Sequence, residues 1–144
     1  MPKSPGQIAL SQKQEDGALR AAARAAVRVD PDSERAAVTA ARAALEKKAE
    51  EVVVLDLRGV SGYTDFLVIG SGQSDRQIEA IADSVESELR AQGHRAIGSE
   101  GQRGGRWVLL DFGDVVVHVF HRDEREHYDL EGLWADAPRI EVGP

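Results

Sequence analysis

Cysteine is absent from this 144-residue chain, which excludes a disulfide framework and any thiolate metal site. No apolar run approaches the roughly 18 residues that a membrane-spanning helix needs. The opening residues, with Lys3, Gln7, Ser11, Gln12, Lys13 and Glu15 among them, lack the apolar centre of a signal peptide. The expectation is a soluble, cytoplasmic protein of a reducing compartment, without a membrane partner. Positive charge is in deficit, 25 Asp and Glu against 18 Lys and Arg giving a net charge of −7. That balance disfavours broad attraction to phosphate backbones except where arginines cluster. The length suits one domain with a core large enough to need no staples.

The motifs of several chemistries are missing too. Gly70-Ser71-Gly72 lies between a predicted strand and a predicted helix, where backbone amides could hold a phosphate. It lacks the following Lys-Ser/Thr and the later glycines of a dinucleotide fingerprint. The alternative function, a metal-dependent nucleotidyltransferase or nuclease, would use Asp56, Asp111 and Asp114. Such an enzyme places two carboxylates at i and i+2 on one strand face to share divalent cations. Asp56 stands alone and Asp111 and Asp114 flank a turn, so the pair is not there. His118 and His121 are three apart and point to opposite faces of a continuous strand, which argues against zinc with His127. Ser61, Ser71 and Ser74 sit in turn or capping contexts, so no nucleophilic triad is read. No catalytic residue, metal ligand or cofactor is assigned.

What is present is a patterned α/β chain. Residues 1–33 read as an N-terminal extension, flexible or partly helical, and 34–144 as the domain. Within the extension Arg20, Arg24 and Arg28 recur every fourth residue, so a basic helical stripe over 19–29 is possible, and an RNA-touching arm is one reading of it. Asp30-Pro31 is suited to open a helix, with Val38, Ala41, Leu45 and Ala49 near one buried face. Strands over 52–57 and 65–69 are expected to pair antiparallel. Gly70 to Ser74 should break the second of them, and a helix from about Asp75 to Ala91 should follow, capped by Ser74 and Gln77 and ended by Gly93. A weak strand over 94–100 lies at or near an edge, parallel in direction to the second strand. A short helix opening at Asp123, with Glu126 in a capping-box spacing, carries Tyr128, Leu130, Leu133 and Trp134. The expected fold is a single α/β domain, a mixed sheet of about five strands with flanking helices.

The stretch from Trp107 to His121 is a strong hairpin signal, two apolar runs around Gly113. With Asp111 opposite Asp114, Leu110 faces Val115, Leu109 faces Val116, Val108 faces Val117 and Trp107 faces His118. One face then carries Val108, Leu110, Val115, Val117 and Val119, a pure core. The other carries Trp107, Leu109, Val116, His118 and Phe120, with Asp111 and Asp114 at its turn end. A buried sheet face rarely holds an imidazole and carboxylates together. This face is therefore expected to be partly exposed, and Trp107 reads equally as an interface residue or a core residue.

From about Ala40 to Trp134 the chain resembles the ribosomal silencing factors, also called the Iojap-like family. The motifs are Val54-Leu55-Asp56, Thr64-Asp65-Phe66-Leu67-Val68-Ile69, Gly72-Gln73-Ser74-Asp75-Arg76-Gln77, Arg106-Trp107-Val108-Leu109-Leu110-Asp111, Gly113-Asp114-Val115-Val116-Val117-His118-Val119 and Tyr128-Asp129-Leu130-Glu131-Gly132-Leu133-Trp134. Several linked motifs in one order make the resemblance specific. It implies a nucleotidyltransferase-like fold without the catalytic carboxylates, and a translational repressor that is not an enzyme. It also implies binding to the large ribosomal subunit through an interface protein of universal family fourteen, blocking small-subunit joining when nutrients are scarce. A homodimer when free is implied as well, with no sequence-specific nucleic acid binding. The family's strand tryptophan carries over to Trp107 as a partner contact. Its neighbours Leu109, Asp111, Val116 and His118, with Tyr128, complete the expected partner-binding set.

Overall fold

The computed structural model describes residues 31–60, 62–101 and 106–142. The arginine stripe over 19–29 and the expected cap at Asp30 lie outside the described residues. Helix α1 (Pro31–Glu46) buries Ala36, Ala37, Ala40, Ala41, Ala43 and Ala44. This corrects the stripe read from the sequence, since Val38 is half-buried and Leu45 is 38% exposed. The alanines let α1 lie close against helix α2 (Asp75–Ala91), where Ser84 Oγ donates to Ala43 O at 3.1 Å and Gln92 Nε2 to Thr39 Oγ1 at 2.8 Å. Gln77 Nε2 donates to Lys47 O at 3.1 Å, so the two helices run antiparallel. Helix α2 has its predicted span and start, with Gln77 N–H donating to Ser74 Oγ at 3.1 Å.

Six strands form one mixed sheet: β1 (Glu50–Asp56), β2 (Phe66–Gly72), β3 (Gly98–Glu100), β4 (Trp107–Asp111), β5 (Val115–His121) and β6 (Arg139–Ile140), in the order β3-β4-β5-β2-β1-β6. Only β2 and β5 pair in parallel; every other neighbouring pair is antiparallel. The short β6, paired to β1 on the outer edge, is the strand the sequence reading lacked. Strand β2 also runs through Gly70-Ser71-Gly72, where a turn was expected, and is buried along its length. Gly72 points beneath α2, and a Cβ there would stand 3.1 Å from Ile78 Cγ1. Gly72 thus serves close packing on a strand, and the segment does not form a phosphate-holding turn. The weak strand expected over 94–100 shrinks to β3, an exposed edge.

The β4–β5 register is Trp107↔Phe120, Val108↔Val119, Leu109↔His118, Leu110↔Val117 and Asp111↔Val116, a slip of two from the pairing derived above. Its cause is the turn. Phe112 N–H donates to Val115 O at 2.9 Å, so Gly113 and Asp114 form the two-residue loop, and Gly113 takes φ +89°. Glycine reaches that region without strain, as Phe112 would not. Because side chains alternate with period two, a slip of two leaves every strand residue on its predicted face, while Asp114, expected opposite Asp111, falls in the loop.

Each face has its own core. Val108, Leu110, Val115, Val117 and Val119 pack under α1 and α2 with Phe66 and Val68. The opposite face is covered by helices α3 (Arg122–Tyr128) and α4 (Leu130–Leu133) and the segment to Ala137. One helix from Asp123 was expected. Instead Asp129 takes φ +46° and breaks it in two. His121, not Asp123, caps α3, its Nδ1 accepting Asp123 N–H at 3.2 Å.

Candidate functional site

The expectation of a half-exposed mixed face is overturned. Trp107 is 6% exposed, and Leu109, Asp111, Val116 and His118 are likewise buried. The sequence signal failed because it could not show α3, α4 and the loop after β1 closing over these residues. Leu57, Tyr63, Leu130, Trp134 and Ala137 complete this second core with Leu67, Ile69 and Phe120.

The imidazole is tolerated there because it is hydrogen-bonded. Trp107 Nε1–H donates to His118 Nδ1 at 3.0 Å, so a neutral His118 carries its proton on Nε2. The two are diagonal across the hairpin, with Leu109 directly opposite His118. Around them the rings of Trp107, Phe120 and Tyr128 stack, Phe120 to Tyr128 at 5.0 Å between centroids and Trp107 to Tyr128 at 6.3 Å. Tyr128, at the end of α3, is half-buried, and desolvation with the nearby Glu124 raises its phenol pKa. A second stack sets Tyr63 against Trp134 at 6.3 Å and nearly coplanar. Burial raises the Tyr63 phenol well above the ordinary range.

Sequence reasoning missed Arg125. Its position on a polar α3 reads as surface, yet its side chain is buried. Nη1 donates to Ser71 Oγ at 3.0 Å and to Glu50 O at 3.3 Å, while Nε donates to Glu131 Oε1 at 2.9 Å. One guanidinium therefore ties α3 to β1, β2 and α4. At α4, Asp129 Oδ1 accepts Gly132 N–H at 3.2 Å, and a side chain at Gly132 would collide with that carboxylate. These contacts leave Leu133 50% exposed beside the buried Trp134, and Val60, three residues before Tyr63, 47% exposed. Half-buried Tyr128 and exposed Leu133 belong to the helices that cover this face, and exposed Val60 belongs to the loop after β1.

The three carboxylates of the enzyme alternative do not converge. Asp56 is held by Arg58, whose Nη2 and Nε donate at 2.7 and 2.9 Å, and this pairing lowers the Asp56 pKa. Arg58 also lies 4.7 Å over the Phe66 ring. Asp111 Oδ1 accepts Gly113 N–H at 2.8 Å and shapes the turn. Thr64 Oγ1 donates to Gly113 O at 3.0 Å, fixing that turn to the start of β2. The histidines are dispersed as well: His118 in the core, His121 capping α3, His127 edge-on to Tyr128. Among the described residues no group of three or more acidic or histidine side chains could hold a metal ion. None of their helices is long and apolar enough to cross a membrane.

Residues 30–144 match the family model described as ribosomal silencing factor during starvation. A protein of Halalkalibacterium halodurans named ribosomal silencing factor RsfS is 50% identical over 97 residues, 67% of this chain and 83% of the relative. A mouse protein named mitochondrial assembly of ribosomal large subunit protein 1 is 32% identical over 92 residues, 62% of this chain and 40% of its own length. A crystal structure of a protein from Chromobacterium violaceum superposes with a TM-score of 0.69 at 33% identity, covering 77% of this chain and 92% of that one.

Proposed function

The chain belongs to the ribosomal silencing factor family, and from that premise we propose that it is a translational repressor acting at the large ribosomal subunit. It docks on a subunit-interface protein of universal family fourteen and keeps the small subunit from joining when nutrients are scarce. The observation that carries this reading is the match over 30–144, which spans both helix layers and the whole sheet. The name of the mouse relative, which refers to the large subunit, supports the same target. The chain acts in the cytoplasm and without catalysis; the tie of Asp56 to Arg58 and the use of Asp111 in the turn support that.

The partner-binding surface on this reading is the covering of the second face. Tyr128, Leu133 and Val60 touch the partner, as apolar groups of a small interface do. Trp107, Leu109, Asp111, Val116 and His118 lie beneath and hold that covering in place. An acidic molecule recognising a protein patch also avoids loose attachment to ribosomal RNA. When free, the chain pairs as a homodimer. The residues before α1 take no part in this docking.

Co-sedimentation with purified large subunits, with and without small subunits, tests the proposal. The chain should travel with the large subunits, and particles preloaded with it should fail to take up small subunits. Leu133→Asp should weaken the association by about 2 kcal/mol, some thirtyfold, with the fold intact. Full association of that variant would remove this surface from the proposal, and joining that proceeds unhindered would remove the mechanism.

A further inference from the structure

His121, the last residue of β5, works through one ring nitrogen. Its Nδ1 accepts the Asp123 N–H at 3.2 Å, which caps α3, and accepts Arg106 Nη2 at 3.1 Å. A guanidinium only donates, so both contacts require a neutral ring with Nδ1 bare. Arg106 is placed there by the sheet, its backbone O accepting His121 N–H at 2.7 Å. The same side chain holds both carboxylates of the first turn of α3. Its Nε donates to Glu124 Oε1 at 3.0 Å, and its Nη2 lies 3.4 Å from Asp123 Oδ2. That Asp123 oxygen is also 3.5 Å from His121 Nδ1, and the imidazole is 12% exposed, within reach of a proton from solvent. On β2 the residue opposite His121 is Gly72, which brings no charge. The next residue, Arg122, is exposed.

We propose that His121 is a proton-operated latch on the helical cover of the second face. A proton on Nδ1 turns the acceptor into a donor, and the Asp123 amide loses its cap. The imidazolium then stands 3.1 Å from a guanidinium and at the positive end of α3, where a cation is disfavoured. Its favourable partners are Asp123 and Glu124, which Arg106 already holds. Protonation therefore sets His121 against Arg106 for the same carboxylates, and the first turn of α3 frays in either outcome. The rest of the cover depends on that helix. Tyr128 of α3 stacks on Trp107 and Phe120, and Arg125 of α3 reaches Ser71 and Glu131. Fraying at His121 is thus passed to the surface that bears Leu133. The weakened hold on the large subunit that follows rests on the docking reading above; the latch itself does not.

The test is amide hydrogen exchange of the full free chain at about pH 8 and about pH 5.5, the interval in which imidazoles take up protons. Protection factors over 123–128 should fall about fivefold at the lower pH, the factor that matches roughly 1 kcal/mol for a lost cap. Those of α1 and α2 should hold. His121→Asn keeps an oxygen acceptor that caps well and does not titrate, so its protection should be the same at both values. His121→Ala should show the lowered protection already at the higher pH. His118 and His127 remain in both variants. A fall that persists in His121→Asn would pass the acid response to one of those rings and overturn the latch, as would steady protection in the unaltered chain. Large-subunit binding at the higher pH tests the docking reading by itself. Given that binding, an equal loss on acidification in the unaltered chain and in His121→Asn would overturn the control of docking by the latch.

Discussion

At the scale of single residues, the tryptophan that the sequence left open belongs to the core. Trp107→Ala should cost about 3–5 kcal/mol, the range for emptying a buried aromatic site, and a thermal melt measures it. Trp107→Phe keeps most of the ring and removes the indole donor to His118. A loss of about 1–3 kcal/mol is expected, because a buried acceptor is left without that donor. The chain has two tyrosines, Tyr63 and Tyr128, and both phenols are raised, chiefly by burial. A raised pKa favours the neutral form in the folded state. That stability is complete below the unfolded value, near pH 10, and is lost as pH climbs toward the folded values. Phenolate absorbance should therefore lag the ordinary titration and rise together with unfolding; a full two-tyrosine titration in a folded chain would contradict it. Asp56 works in the opposite sense. Arg58 lowers its pKa, so its stabilisation is present above the unfolded value near pH 4 and fades as acid protonates the carboxylate. Arg58→Met should flatten that acid limb of a stability curve.

At the scale of elements, the covering of the second face is thin, two short helices against the long α1 and α2 opposite. Arg125 compensates by joining α3 to β1, β2 and α4 through one buried cation. Arg125→Met should cost about 2–3 kcal/mol, in the range of hydrogen bonds to charged groups. The loss should be local: amide hydrogen exchange should rise over 122–134 and stay unchanged in α1 and α2. The elements differ in how legible they were. Helix α2 was readable because its periodicity, its Ser74 cap and its terminal Gly93 agree. The hairpin faces were readable because period two survives a slip, whereas the register depended on which two residues occupy the loop. Gly70 to Gly72 misled because glycine marks a turn in sequence, yet here the segment is strand and Gly72 answers to a helix packed above it. The break at Asp129 and the burial of Arg125 arise from tertiary contacts that no local pattern records.

At the scale of the molecule, the sheet ends in two short edges. Beside β3, Ile97 is 75% exposed, and an unpaired edge flanked by such a residue invites a second copy. The homodimer of the proposed function should form there, and Ile97→Lys should shift light scattering at tens of micromolar toward monomer. A variant that stays dimeric would move the dimer surface elsewhere. The central pairing of β2 with β5 bears on how the protein is made. β1, β2 and α2 are synthesised early, but the slot beside β2 is filled only by β5, from the far half of the domain. Such distant pairing is slow to form. A nascent chain halted before Val115 therefore holds β2, buried at every position in the finished fold, with one side unpaired and its apolar faces half-clothed. Translation that pauses in this interval should yield the species most prone to aggregate and most in need of a chaperone.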